Sequence, residues 1–140
     1  MTQKKPERSE FDSVDPAPPS NDSRVASLRE TICNEDEKMF QRMRALFALR
    51  NIGGKDSVEA LADAFSSKSA LLKHEIAYVM GQMQDSHAVP HLIDRLADAD
   101  EDVMVRHEAA EALGAIGDRT ALSVLEEYVD TAHCAVKRFY

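Results

Sequence analysis

From Val25 onward, apolar residues recur at three- and four-residue spacing, the pattern of amphipathic helices, and from Arg42 the pattern itself repeats. Three segments can be written in phase: RMRALFALRNIG from Arg42, KHEIAYVMGQMQ from Lys73 and RHEAAEALGAIG from Arg106. Their offsets of 31 and 33 residues fall in the range of solenoid repeats. A basic residue opens each segment (Arg42, Lys73, Arg106). Six positions on comes a small or β-branched residue (Ala48, Val79, Ala112), then a long aliphatic one (Leu49, Met80, Leu113). The next column holds Gly81 and Gly114, with Arg50 in the first segment. Glycine inside a helix costs about 1 kcal/mol relative to alanine, so two in register predict close approach of a neighbouring helix. Gly53 and Gly117 fall where a helix C-terminus favours a left-handed residue, a place taken by Gln84 in the middle segment.

Each segment is followed by a turn and a second amphipathic stretch: SVEALADAF, AVPHLIDRLAD and ALSVLEEYVD. Pro90 falls in the first turn of its helix, where its missing N–H does no harm. Nothing reads as a strand. The predicted fold is all-α, a solenoid of about three helical hairpins, with one further helix over residues 24–40 capping its N-terminal end. Four of the five prolines lie in the first nineteen residues, whose only large apolar side chains besides Met1 are Phe11 and Val14. Such a stretch buries too little surface to offset ordering, so residues 1–22 are expected to be a disordered tail and 23–140 the repeat domain. The final run HCAVKRFY reads as the opening of a fourth repeat, with Val136-Lys137 matching Val105-Arg106. A solenoid edge is left there without an evident cap.

Composition narrows the function classes. The apolar fraction is 44%, but tryptophan is absent and aromatics make up 6%, which favours closely packed Ala- and Leu-rich helices. A net charge of −8 argues against a nucleic-acid footprint, which needs clustered Lys and Arg. Cys33 and Cys134 lack CxxC spacing and fit a reducing compartment. There is no apolar run of membrane-span length, and no apolar segment follows MTQKKPERSE. The expectation is a cytoplasmic protein without nucleic-acid or membrane partners.

The candidate chemistry lies in two dipeptides, His74-Glu75 and His107-Glu108, at the same column of consecutive segments. Either alone has an ordinary account, since a carboxylate in the first turn of a helix favours the dipole and a histidine beside it can simply be solvated. Two in register are harder to dismiss, because the other shared columns are apolar or small and this one is Met43-Arg44 in the first segment. Stacked helices lie about 8–10 Å apart, so equivalent side chains can converge on one ion. Metal bonds of roughly 2.0–2.2 Å to imidazole and carboxylate come within reach. Adjacent helical residues point about 100° apart, so two histidines and one carboxylate are the easier set. That set suits non-haem iron with open positions for oxygen, leaving the fourth group to orient a ligand or bind substrate. His91 shares a column with Ala60 and Val124 and reads as structural, His87 lacks a third ligand nearby, and His133 lies in the ragged terminus.

The segments MRALFALRNIGG, SALLKHEIAYVMGQMQD and MVRHEAAEALGAIGD closely resemble the deoxyhypusine hydroxylase family of HEAT-repeat di-iron monooxygenases, over a stretch from about Val25 to the C-terminus. The resemblance implies hydroxylation, with iron and dioxygen, of a deoxyhypusine side chain on the translation factor that carries hypusine. Carried over by motif, His74, His107 and Glu108 correspond to ligands of one Fe(2+). Glu75 corresponds to the fourth acidic group, near the metal or facing the substrate amine, with a catalytic part. Members of that family have two halves, each with two His-Glu pairs, and this chain matches the N-terminal half. The implied enzyme is therefore incomplete as a monomer, completed by a homodimer or a C-terminal half. The competing reading is a catalytically inactive, truncated repeat module that binds a protein on its concave surface. A bilin-lyase-like repeat protein, sharing the A-x-x-A-L-G-x-I-G-D pattern, is disfavoured by the paired His-Glu dipeptides.

Overall fold

The repeated segments form the helices that their spacing predicts. The computed structural model describes residues 16–130, and within them the regular structure is helical, with no strand. The helices are α1 (Val25–Cys33), α2 (Met39–Ile52), α3 (Gly54–Asp63), α4 (Ala70–Met83), α5 (Val89–Ala97), α6 (Val103–Ile116) and α7 (Leu122–Asp130), with short 3-10 turns after α3 and before α5 and α7. The hairpins α2–α3, α4–α5 and α6–α7 correspond to the three segments and their partners. No helix among the described residues is long and apolar enough to cross a membrane. The chain divides into two compact units, one ending at Lys68 and one beginning at Ser69.

In the first unit α1 packs on both α2 and α3 around Leu28, Ile32, Leu46, Phe47, Leu49, Val58 and Leu61, all fully buried or nearly so. The helix predicted over 24–40 is shorter than expected and ends at Cys33. Asn34 then turns the chain, its side-chain oxygen accepting from the Asp36 N–H at 3.0 Å, the local bond with which Asn competes against a helix. The C-terminal carbonyls of α1 need donors, and the buried Arg42 supplies one: its Nε donates to the Ile32 carbonyl at 2.8 Å. Its other nitrogens reach Glu35 and Ser67, both at 3.3 Å. Of the expected tail, residues 1–15 lie outside the described residues. Residues 16–22 lie on α2: Ala17 is buried, the Ser20 N–H donates to the Arg44 carbonyl at 3.0 Å, and Arg44 Nε donates to the Pro18 carbonyl at 3.3 Å. The run HCAVKRFY also lies outside the described residues.

In the second unit side-chain oxygens cap α4 and α6. Ser69 accepts from the Leu72 N–H at 3.2 Å at the start of α4, and Asp102 from the Met104 N–H at 2.8 Å at the start of α6. Pro90 occupies the first turn of α5. Arg106 repeats the role of Arg42, its Nε donating to the Leu96 carbonyl at 3.1 Å while its guanidinium lies 5.8 Å from the Tyr128 ring centroid. Lys73, at the equivalent column, uses its charge differently. Its Nζ donates to Glu101 at 2.6 Å, and that buried carboxylate also accepts from Arg95 at 2.8 Å.

Helices α4 and α6 pack against each other along their length. The reason lies at Gly81: a Cβ there would stand 3.1 Å from Ala112 Cα and 3.2 Å from Ala112 Cβ. Gln84 ends α4 in the left-handed region that Gly117 occupies after α6. Its side-chain amide compensates by donating to the Gly81 carbonyl at 2.7 Å and the Ala115 carbonyl at 2.9 Å. Gly114 shares the column of Gly81 but not its surroundings, for nothing among the described residues lies within 4 Å of a Cβ placed there.

The two glycines should therefore respond oppositely to substitution. In Gly81→Ala, overpacking of about 1–3 kcal/mol opposes a helix-propensity gain of about 1 kcal/mol, so urea unfolding should show a net loss of stability. Gly114→Ala meets open space and should gain up to about 1 kcal/mol. Equal effects of the two substitutions would mean that the α4–α6 approach is not tight.

Candidate functional site

Because α4 and α6 belong to consecutive hairpins and pack together, equivalent columns come face to face on one surface. His74 and Glu75 stand on the second turn of α4, His107 and Glu108 on the second turn of α6. His74 Nε2 lies 3.0 Å from Glu108 Oε2 and its Nδ1 lies 3.7 Å from Glu75 Oε1, so one imidazole touches a carboxylate from each helix. His107 Nε2 lies 3.7 Å from Glu111 Oε2, one turn farther along α6. Glu111 in turn neighbours Glu108, whose charge it feels, so five side chains from the two helices stand together.

Burial is graded across this cluster. The Glu108 side chain is 10% exposed, the least of the five, and Glu111 is 36% exposed. A carboxylate so enclosed requires a cationic or donor partner, and His74 meets that requirement by holding a proton. Hydrogen bonding to Glu108 first, then to Glu75, pushes the His74 pKa from 6.5 up to about 10. Glu111 moves upward from the carboxylate range through burial and the neighbouring Glu108 charge. Three carboxylates against one imidazolium leave the cluster negative.

The donor set fits a divalent iron in kind, since imidazole and carboxylate are the ligands such an ion takes. The His74–Glu108 separation of 3.0 Å also equals the edge between two neighbouring ligands, about 3.0 Å for bonds of roughly 2.1 Å at a right angle. Here the side chains pair with one another, and among the described residues no three of the His, Cys, Asp and Glu groups converge closely enough to hold an ion. The structure thus unites His74, Glu75 and Glu108 directly and joins His107 through Glu111. Sequence reasoning missed Glu111. Its column holds Tyr78 in the second segment and Phe47 in the first, so no in-phase signal marked it. The available signal was its i, i+4 spacing from His107.

The remaining histidines lie apart from this cluster. His87 is exposed and held by Asp85, whose carboxylate accepts from the His87 N–H at 2.9 Å and lies 2.7 Å from its Nδ1. His91 is partly buried, and His133 lies outside the described residues. In the first segment the His-Glu column is occupied by Met43, which is buried, and by Arg44, which holds residues 18–20.

A family model of HEAT repeats matches residues 25–104 and 95–138. Deoxyhypusine hydroxylase of Rattus norvegicus is 51% identical over 117 residues, covering 84% of this chain and 39% of the rat protein. The Homo sapiens enzyme is 47% identical over 125 residues, 89% of this chain and 41% of that protein. That of Cryptococcus neoformans is 53% identical over 109 residues, 76% and 30% respectively. A solved structure of human deoxyhypusine hydroxylase in complex with glycerol superposes with a TM-score of 0.89 at 45% identity, covering 96% of this chain and 46% of that one. The chain therefore spans roughly 40% of the length of the curated relatives it matches.

The His74–Glu108 contact predicts a distinctive titration. In NMR of the metal-free chain, the His74 ring should stay protonated through neutral pH and titrate near 10. Glu108→Gln should bring that midpoint back toward 6.5. Folding raises this pKa, so the pair stabilises fully below about pH 6.5 and the contribution disappears as pH rises toward 10. A ring that titrates at 6.5 in the unsubstituted chain would refute the contact.

Proposed function

We propose a function on one established footing: the chain belongs to the HEAT-repeat family, and two His-Glu pairs stand on its adjacent hairpins. It is one half-site of a deoxyhypusine monooxygenase, acting in the cytoplasm on the deoxyhypusine side chain of the hypusine-containing translation factor. The observation that carries this reading is the His74–Glu108 contact of 3.0 Å between equivalent columns of α4 and α6. The identity of 47–53% to deoxyhypusine hydroxylases over most of the chain supports it.

His74, Glu75, His107 and Glu108 would hold Fe(2+). Bound there, as part of a di-iron centre in the complete site, the metal would supply the chemistry that activates dioxygen for insertion into a C–H bond. The chain's own groups have separate tasks. Glu108 is enclosed and fixes the position of the His74 ring through Nε2. Glu75, 21% exposed, is open enough to face a cationic amine of the substrate. Glu111 keeps negative charge beside His107. The other half-site comes from a second copy of this chain or from a C-terminal half. A homodimer would place four His-Glu pairs in one assembly.

The test is to purify the chain with ferrous iron, measure mass and iron content, and assay hydroxylation of a deoxyhypusine-bearing translation factor. An assembly holding iron through two half-sites is expected, with His74→Ala and His107→Ala each abolishing iron retention and turnover. A monomer that stays iron-free and leaves the substrate unmodified would overturn the enzyme reading. Partner binding that survives both substitutions would identify the inactive protein-binding module instead.

A further inference from the structure

The carboxylate of Glu101 lies in the turn before α6 and holds three elements together, with its side chain only 2% exposed. Its Oε1 accepts from Lys73 Nζ at 2.6 Å and from the Asp102 N–H at 2.8 Å. Its Oε2 accepts from Arg95 Nη1 at 2.8 Å. Lys73 belongs to α4, Arg95 to α5, and Asp102 is the residue whose own side chain caps α6. Charge-assisted bonds of this kind are short and directional. Stability alone does not account for them, because well-packed apolar residues often stabilise as much as a buried ion pair. The best-attested use of a buried pair is to fix a register. Arg42 and Arg106 use the same column to reach carbonyls of the preceding helix, whereas Lys73 reaches forward to the turn before α6.

Which register is fixed follows from position. Lys73 immediately precedes His74, at the end of the helix pair where His74 meets Glu108. The close contact of Gly81 with Ala112 sets how near α4 and α6 approach, but a single point of contact leaves their crossing angle open. The Gln84 amide that reaches the Ala115 carbonyl lies beyond Gly81, on the side away from His74. Apolar burial between the helices is non-directional. At about 1.5 Å per residue, His74 lies about 10 Å along α4 from Gly81, so a swing of about 5° there moves it by about 1 Å. His74 Nε2 is 3.0 Å from Glu108 Oε2, and lengthening by about 1 Å takes that pair out of hydrogen-bond range.

We propose that Glu101 is a positioning residue for the candidate site: through Lys73 it sets the crossing angle of α4 against α6 and thereby holds His74 on Glu108. Arg95 and the Asp102 N–H keep the carboxylate itself in place. The inference rests on the reading under Proposed function for what the site does, while the positioning is a property of the metal-free chain.

The test is made by NMR on the full metal-free chain, with urea unfolding alongside. Its readout is the nuclear Overhauser contact between the His74 ring and the Glu108 side chain, which falls steeply with distance. Lys73→Met and Glu101→Gln should each weaken that contact severalfold, and Lys73→Arg, which keeps the charge and the reach, should retain it. Lys73→Met leaves Glu101 paired with Arg95, so the variant keeps a partner for the buried carboxylate. Leu125→Ala, at a buried position on α7, is the control for lost stability: its unfolding midpoint should fall while the His74–Glu108 contact stays. The proposal is overturned if the unsubstituted chain lacks the contact, if Lys73→Met and Glu101→Gln keep it, if Lys73→Arg loses it, or if Leu125→Ala weakens it equally. The expected pattern in a protein that fails to hydroxylate would sink the enzyme reading alone. Hydroxylation by a chain whose two network variants keep the contact would sink this inference alone.

Discussion

Where α4 meets α6, the absence of a side chain at Gly81 lets Ala112 approach so closely that a Cβ there would be crowded, at 3.1 Å from its Cα. The candidate site depends on this contact. Interiors are close-packed and resist the addition of even one methyl group, so the approach of two helices is set by the smallest residues between them. With Gly81 against Ala112, the second turns of α4 and α6 come close enough for His74 to reach Glu108 across the helix pair. Leu72, Ile76, Val79 and Met80 on α4, and Val105, Ala109 and Leu113 on α6, bury the opposite faces. The site is therefore the solvent side of an ordinary apolar contact, and its precision is inherited from the packing behind it.

The basic column that opens each segment acts at the ends of the helices. Arg42 and Arg106 are buried, and each donates to a carbonyl at the C-terminus of the helix before it, where backbone acceptors have no partner within their own helix. A planar guanidinium suits this because it offers several donors in one plane and remains charged. Lys73 has a single nitrogen and instead neutralises the buried Glu101, which Arg95 also reaches. One column thus serves helix capping twice and a buried ion pair once, and the identity of the basic residue tracks the task.

Much of this was legible along the chain. The segments align because each hairpin solves the same burial problem, so helix type and hairpin order follow from periodicity alone, whereas the tight contact at Gly81 does not. The expected helix over residues 24–40 ran through the wholly polar stretch 34–38, where the Asn34 turn and the Arg42 bond to the Ile32 carbonyl end α1. Residues 16–22 looked too poor in apolar groups to order. What holds them is mostly backbone hydrogen bonding to Arg44, which composition does not register. Gly114 repeated the glycine column without the close neighbour, because a column records the repeat and not what stands beside it.

The sequence by itself determined the helical hairpins, the register of the two His-Glu pairs and the acidic balance of the chain, since all of these depend on residue type and spacing. Tertiary structure alone decided how those pairs meet. It set His74 between Glu75 and Glu108, turned His107 to Glu111, and recruited Glu111 from a column that carried no repeat signal. The physical reason is that spacing along a helix fixes which face a residue occupies. Which groups share a proton or a charge depends on distances of a few ångströms between helices, and those are set by the packing of the small residues at their crossing.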